Sequence, residues 1–184
     1  MLIAFCGLIG AGKSYAARHL VLKHGFIRTR FAGPLKEMMK ALGLNDSEID
    51  GAAKELPCDK LGGKTPRHAM QTLGAQWGRD LIDPELWVNA WAREALGLMS
   101  DGWDVVVDDC RFLNEAGKVW LHGGKLIKIE RSGLSQGDHV SEFMPFTTYD
   151  RVIENRGDPE AFKGAIDEVL WAFKTQSAPA VVSK

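Results

Sequence analysis

The chain has 184 residues, a formal net charge of −1, 45% hydrophobic residues and 26% charged residues. Those proportions suit one globular domain with room for a proper core. The near-neutral balance argues against duplex nucleic acid as a partner, and no apolar run approaches membrane-spanning length. Cys6, Cys58 and Cys110 form neither a CxxC pair nor a Cys/His metal spacing, so buried thiols in a reducing cytosol, and a cytoplasmic protein, are expected.

Leu2-Ile3-Ala4-Phe5-Cys6 reads as a buried central strand. It runs into Gly7-Leu8-Ile9-Gly10-Ala11-Gly12-Lys13-Ser14, which has the G-x-x-x-x-G-K-S spacing of a P-loop and opens a helix reaching about His24. Gly7, Gly10 and Gly12 allow the tight turn that points successive N–H groups at phosphate oxygens. The helix N-terminus faces the same anion, Lys13 reaches the β- and γ-phosphates, and the Ser14 hydroxyl is placed to ligate Mg²⁺. Ala11 and Tyr15 complete this ATP-binding stretch. The motif, in its strand–loop–helix setting, predicts nucleoside triphosphate binding.

Phe26–Phe31 is expected as a second, shorter strand, and Pro34 suits the first turn of the helix that follows. Asn45-Asp46-Ser47-Glu48 has the form of a capping box, and residues 51–64 read as a mobile loop. Thr65-Pro66 and Asp83-Pro84 each signal a helix start. Met70, Leu73 and Trp77 lie on one face of the first of these helices, interrupted by Gly74 and Gly78. Trp87, Ala90, Trp91, Ala95 and Leu98 follow at helical spacing on the second. The block 33–98 is therefore a helical insertion suited to binding a phosphoryl acceptor.

Trp103–Asp109 is the next strand, apolar and then acidic at its end, followed by a helix from about Asn114. Leu126–Glu130 is a further strand with Arg131 at its exit. Residues 132–147, including His139, have no clear period and read as a lid. Tyr149–Glu154 makes a last strand, Asp158-Pro159 caps a final helix, and residues 175–184 read as a disordered tail. Strands alternating with helices predict a parallel sheet covered on both faces, with ligands at the strands' C-terminal ends. That rule gathers the P-loop, Asp108, Asp109, Arg111 and Arg131 into one neighbourhood.

At a P-loop, an acidic strand end serves Mg²⁺ directly or through water; Asp108 and Asp109 are both candidates, and Asp109 is the first choice because Arg111 follows two residues later. Arg111 and Arg131 are suited to spreading charge on transferring oxygens. Arg79 could bind the acceptor's phosphate or form a salt bridge to Asp80 or Asp83, and Lys36 is a weaker acceptor candidate. Trp87 could stack on a base or simply belong to the core.

Together the P-loop, Phe31-Ala32-Gly33-Pro34-Leu35-Lys36, Gln71–Arg79 and Val107-Asp108-Asp109-Cys110-Arg111-Phe112-Leu113-Asn114-Glu115-Ala116 resemble phage-type deoxynucleoside monophosphate kinases, from Leu2 to about Leu170. The resemblance implies a core, a helical acceptor-binding part and a lid. It also implies transfer of the γ-phosphoryl of ATP, with Mg²⁺, to a deoxynucleoside monophosphate. Lys13 and Ser14 would hold ATP and metal, Asp109 and Arg111 would match the family's acidic–basic pair, and Lys36 and Arg79 would face the acceptor. Arg131 would enter from the lid, and Asn155 and Gly157 would lie near the adenine. Ser14 departs from the aspartate that often follows the lysine in this family, and Cys110 and Leu113 replace valine and proline. The stretch from Ser141 through Gly157 also resembles animal-type phosphomevalonate kinase, and dephospho-CoA kinase shares the layout. A kinase for another phosphorylated metabolite and a non-catalytic ATP-binding protein stay open as alternatives, as does a homodimer.

Overall fold

The computed structural model describes residues 1–134 and 148–176. Five strands form one parallel sheet in the order β2-β3-β1-β4-β5, with β1 Leu2–Cys6, β2 Ile27–Thr29, β3 Val105–Val107, β4 Lys125–Glu130 and β5 Arg151–Glu154. The chain leaves β1 first toward β2 and β3 on one side and only later fills β4 and β5 on the other. This makes the end of β1 the switch point where such sheets hold ligands.

Side chains alternate across each strand, and the alternation sorts the core into two layers. Leu2, Ala4 and Cys6 pack with Val105 and Val107 under α5 (Leu86–Ser100) and α6 (Leu113–Leu121). Ile3, Phe5 and Val106 pack on the other face under α1 (Lys13–His24) and α7 (Pro159–Gln176). The register sets Leu2 opposite Val105 and Cys6 opposite Lys128, so the strand ends rise to one crest.

Helix ends follow the signals in the sequence. Gly12 and Gly25 bound α1, both left-handed. Asn45 and Glu48 close a reciprocal capping box on α3 (Asp46–Ile49), Thr65 accepts the His68 N–H at the start of α4 (Pro66–Thr72), and Asp158 accepts the Glu160 N–H at the start of α7.

Several expectations are corrected. Strand β2 covers only Ile27–Thr29, because Phe26 turns into the core and Gly33–Ala41 already forms α2. Residues 51–64 are not featureless: Ala52–Glu55 and Asp59–Leu61 each wind one 3₁₀ turn. The helix after Thr65 widens into a π-helix over Leu73–Ile82, and Asp83 N–H reaches back five residues to the Gly78 carbonyl at 2.9 Å. Gly78 allows this by close approach, since a β-carbon there would collide with the Trp87 ring. Because that π turn uses Asp83, α5 begins at Leu86 rather than directly after Asp83-Pro84. Thr175 and Gln176 belong to α7 rather than to the expected tail; residues 177–184 lie outside the described residues, as do 135–147 of the expected lid, His139 among them.

The insertion keeps a small core of its own, with Leu35, Met39, Leu44, Ile49 and Trp87 packed together. Among the described residues no helix is long and apolar enough to cross a membrane.

Candidate active site

The loop between β1 and α1 sits at the crest of the sheet. Gly7, Gly10 and Gly12 all adopt positive φ, and at Gly12 a β-carbon would fall 2.7 Å from the Asn155 side-chain nitrogen. Lys13 is buried and folds back over the loop, its Nζ donating to the carbonyls of Gly7 and Leu8 at 2.7 and 2.8 Å. Burial, followed by the charge of Arg111, pushes the Lys13 ammonium down to about 8.

Ser14 Oγ donates to Asp108 Oδ2 at 2.5 Å. Asp108 is buried, and it also accepts from Arg28 through Nε at 2.9 Å and through Nη2, with Arg30 Nε at 3.8 Å from Oδ1. Burial alone would raise its carboxyl, but the hydrogen bonds from Arg28 and Ser14 outweigh that and hold it below the usual range. Asp109 points elsewhere. It accepts the backbone N–H groups of Phe31 and Ala32 at 2.9 and 3.0 Å and lines the neighbouring cleft, and burial and Asp108 raise its carboxyl.

That cleft, about 230 Å³, lies between the insertion and the end of β3. Phe31, Leu35, Met70, Trp87 and Phe112 give it an apolar part, and Lys36, Lys54, Arg67, Arg79 and Arg111 a cationic one. A flat apolar group joined to an anion suits such a lining. Arg79 is held on all sides: Nη2 donates to Glu115 Oε1 at 2.6 Å, Nη1 to the Pro84 carbonyl at 3.2 Å, and the guanidinium lies 4.0 Å over the Phe112 ring. Glu115 also accepts the N–H groups of Arg111 and Phe112 at 2.7 and 3.0 Å. Burial and the Asp109 charge, opposed by Arg79, push the Glu115 carboxyl up to about 7.

No family model matches the chain. A protein of Acanthamoeba polyphaga mimivirus named "Putative deoxynucleotide monophosphate kinase" is 37% identical over 182 residues, covering 90% of this chain and 94% of its own. The chain belongs to the deoxynucleotide monophosphate kinase family.

Solved structures agree at the level of fold. A dephospho-CoA kinase from Campylobacter jejuni superposes with a TM-score of 0.50 at 14% identity, over 96% of this chain and 98% of its own. A sugar kinase from a Janibacter species gives a TM-score of 0.50 at 12% identity, over 100% and 98%. This family member is a P-loop kinase, an enzyme acting on a nucleotide or a similar small molecule.

In the kinase the residues singled out from the sequence fall into three groups. Lys13, Ser14 and Asp108 meet at the P-loop; Lys36, Arg79, Trp87, Asp109 and Arg111 line the cleft. Arg131 is exposed at the exit of β4. The structure adds four details to these expectations. The carboxylate on Ser14 is Asp108 and not Asp109, because successive side chains on β3 face opposite ways. Arg79 pairs with Glu115 rather than with Asp80 or Asp83. Trp87 is packed in the insertion's core, its indole N–H donating to the Gly74 carbonyl at 2.8 Å, so at most one edge of it serves the cleft. Asn155 braces the P-loop: its side-chain nitrogen donates to the Ala11 carbonyl at 2.8 Å, and its oxygen accepts the Gly157 N–H.

Arg28, Arg30, Lys54, Arg67, Phe112 and Glu115 were not singled out from the sequence. Arg28 had a usable signal: it sits on β2 in register with Val106, hence on the face that Asp108 shares. Glu115 lay inside the motif that carries the resemblance, three residues after the N-cap of α6. Lys54 and Arg67 had none, since only the folding of the insertion brings them to the cleft.

Proposed function

We propose that this kinase transfers the γ-phosphoryl group of ATP, with Mg²⁺, to a deoxynucleoside monophosphate. The position of Arg111 carries this reading: it lines the cleft, and its charge is felt at both Lys13 and Asp109. A phosphate on the P-loop and a phosphate in the cleft would thus meet at one guanidinium. The deoxynucleotide is favoured by the name of the mimivirus relative and by a cleft with an apolar part for a base and a cationic part for a phosphate.

Lys13 leaves the Gly7 and Leu8 carbonyls to meet the β- and γ-phosphates, and the N-terminus of α1 supplies N–H groups to the same oxygens. Ser14 and Asp108 are hard oxygen donors within one hydrogen bond of each other, which fits magnesium. Magnesium, when bound, neutralises charge on the phosphates being transferred. Arg79 and Lys36 orient the acceptor's phosphate, and Arg79 is already fixed by Glu115 and Phe112, so little ordering remains to be done on binding. Arg111 and Arg131 stabilise charge on the transferring oxygens. Tyr15 and the exposed Gly157 border the nucleotide's outer part; Asn155 acts there by holding the loop. The acceptor oxygen is already ionised near neutral pH, so the chain needs no general base.

ADP release from ATP and Mg²⁺ across deoxynucleoside monophosphates, ribonucleotides, phosphomevalonate and dephospho-CoA tests the reading. Turnover on a deoxynucleotide supports it. Turnover on phosphomevalonate or dephospho-CoA alone overturns the acceptor, and ATP binding with silence on every acceptor overturns the transfer.

A further inference from the structure

A second cluster of ligating side chains lies along the C-terminal half of α1, away from the P-loop. His19 and His24, on α1, converge with Asp167, on α7. Each imidazole Nε2 is 2.7 Å from the same carboxylate oxygen, Asp167 Oδ1. The three ligand atoms lie within 4.8 Å of one another. We propose that His19, His24 and Asp167 form a site for a zinc-type transition-metal ion that clamps α1 to α7.

Two imidazoles and one carboxylate are a donor set that zinc takes in three-ligand sites, leaving the fourth position to water. Bonds of about 2.0–2.2 Å in a tetrahedron place ligand atoms roughly 3.3 Å apart, so the imidazole–carboxylate contacts need to open by only about half an ångström. The rings meet edge to face, with centroids 5.8 Å apart at 81°, so their nitrogens approach the shared point from different directions rather than stacking. His19 is buried, while His24 and Asp167 are about one quarter or less exposed, at 22% and 25%. That leaves one side open for a water ligand.

Lys23 is the one competing cation on the cluster among the described residues, its Nζ 2.7 Å from Asp167 Oδ2. It occupies the oxygen that the imidazoles do not use. With a metal on Oδ1, Lys23 stays on Oδ2 as an outer partner that orients the carboxylate. The side chain is 57% exposed and can equally move into solvent. Imidazole suits zinc and its neighbours rather than magnesium, and His19 and His24 lie five and ten residues beyond Ser14, about 7.5 and 15 Å along the helix. The site is therefore separate from the phosphate chemistry and independent of the acceptor assignment.

The test uses the untagged full chain, stripped with a chelator, titrated with Zn²⁺ by calorimetry and with Co²⁺ by visible absorption. One equivalent of Zn²⁺ with micromolar or tighter affinity is expected, with intense tetrahedral Co²⁺ bands and a Zn²⁺-dependent rise in Tm. His24→Gln and Asp167→Asn, both at part-exposed positions, should weaken Zn²⁺ binding at least tenfold and abolish the rise in Tm while remaining folded. No binding tighter than millimolar by the folded protein overturns the proposal, as does binding undiminished in both variants. A thiolate charge-transfer band with Co²⁺ also overturns it, by assigning the metal to cysteine.

Discussion

Ser14 and Asp108, 94 residues apart in sequence, share a hydrogen bond of 2.5 Å at the crest of the sheet. Ser14 is exposed, whereas Asp108 is buried and also held by two arginines. If this pair serves the metal, Asp108→Asn should lower kcat by roughly two to three orders of magnitude, as loss of a charge aimed at a transition state does. A steady-state titration with Mg²⁺ checks this, and an unchanged Mg²⁺ dependence in the folded variant would return the role to Asp109. Asp109→Asn should instead raise KM for the acceptor, because its oxygens fix the Phe31–Ala32 backbone at the cleft.

If Lys13 holds the nucleotide's phosphates as proposed, nucleotide binding should be sensitive to mild alkali. An ordinary lysine keeps its charge to above pH 10, whereas burial brings this one down to about 8. Below that value the ammonium is present and binds phosphate; above it the neutral amine does not. Affinity for an ATP analogue should therefore weaken from pH 7 to 9, by at most tenfold per pH unit for one proton. Calorimetry across that range measures it, and a flat profile would count against the assignment. Lys13→Ala should lower turnover by orders of magnitude, remove this pH dependence and leave the circular dichroism spectrum intact.

Glu115 holds Arg79 and two backbone N–H groups from inside the protein. Glu115→Ala strands all three and should cost about 3–5 kcal/mol, measured by urea unfolding. Glu115→Gln keeps an acceptor for the N–H groups but drops the charge, so it should fold and raise KM for the acceptor. The native carboxyl sits near 7 against an ordinary 4.5, so the folded state binds the proton more tightly than the unfolded chain. Its contribution to stability therefore rises as pH falls from about 7 toward 4.5, while its grip on Arg79 weakens over the same interval. The difference between wild type and Glu115→Gln across that window isolates both effects.

Asn155 ties the strand end after β5 to the P-loop. Asn155→Ala leaves the Ala11 carbonyl without that donor in a buried place and should cost about 1–3 kcal/mol, with weaker ATP binding. Gly12→Ala should do worse, because φ is +111° and the new methyl would strike the Asn155 amide. Thermal melts and nucleotide titrations separate the two variants; equal, small effects would show the brace to be idle.

Local chemistry was the part of this chain that could be read directly. The P-loop glycines, the Asn45–Glu48 box, Thr65 and Asp158 each act within four residues of themselves, and each stands where the sequence put it. Asp108 and Asp109 were harder. Both end an apolar strand, and what separates them is which face of the sheet each inherits: Val106 packs toward α1, so Asp108 does too, while Asp109 follows Val107 to the other side. Strand alternation contained that answer. The π-helix did not announce itself, because Gly74 and Gly78 read as interruptions until Trp87 arrives from α5 to fill the space at Gly78 and donate to the Gly74 carbonyl.

The small core of the insertion has a bearing on how such a kinase changes over time. Leu35, Met39, Leu44 and Ile49 pack on one another and on Trp87, apart from the two layers that hold the sheet. Substitutions there can reshape the cleft while the crest of the sheet keeps its form. The hinge between the two economies is α5, whose Trp87 belongs to the insertion and whose Val88 and Trp91 belong to the sheet. Variation that retunes substrate choice is thus expected to collect between residues 33 and 87, the part of the cleft lining that the two sheet layers do not hold.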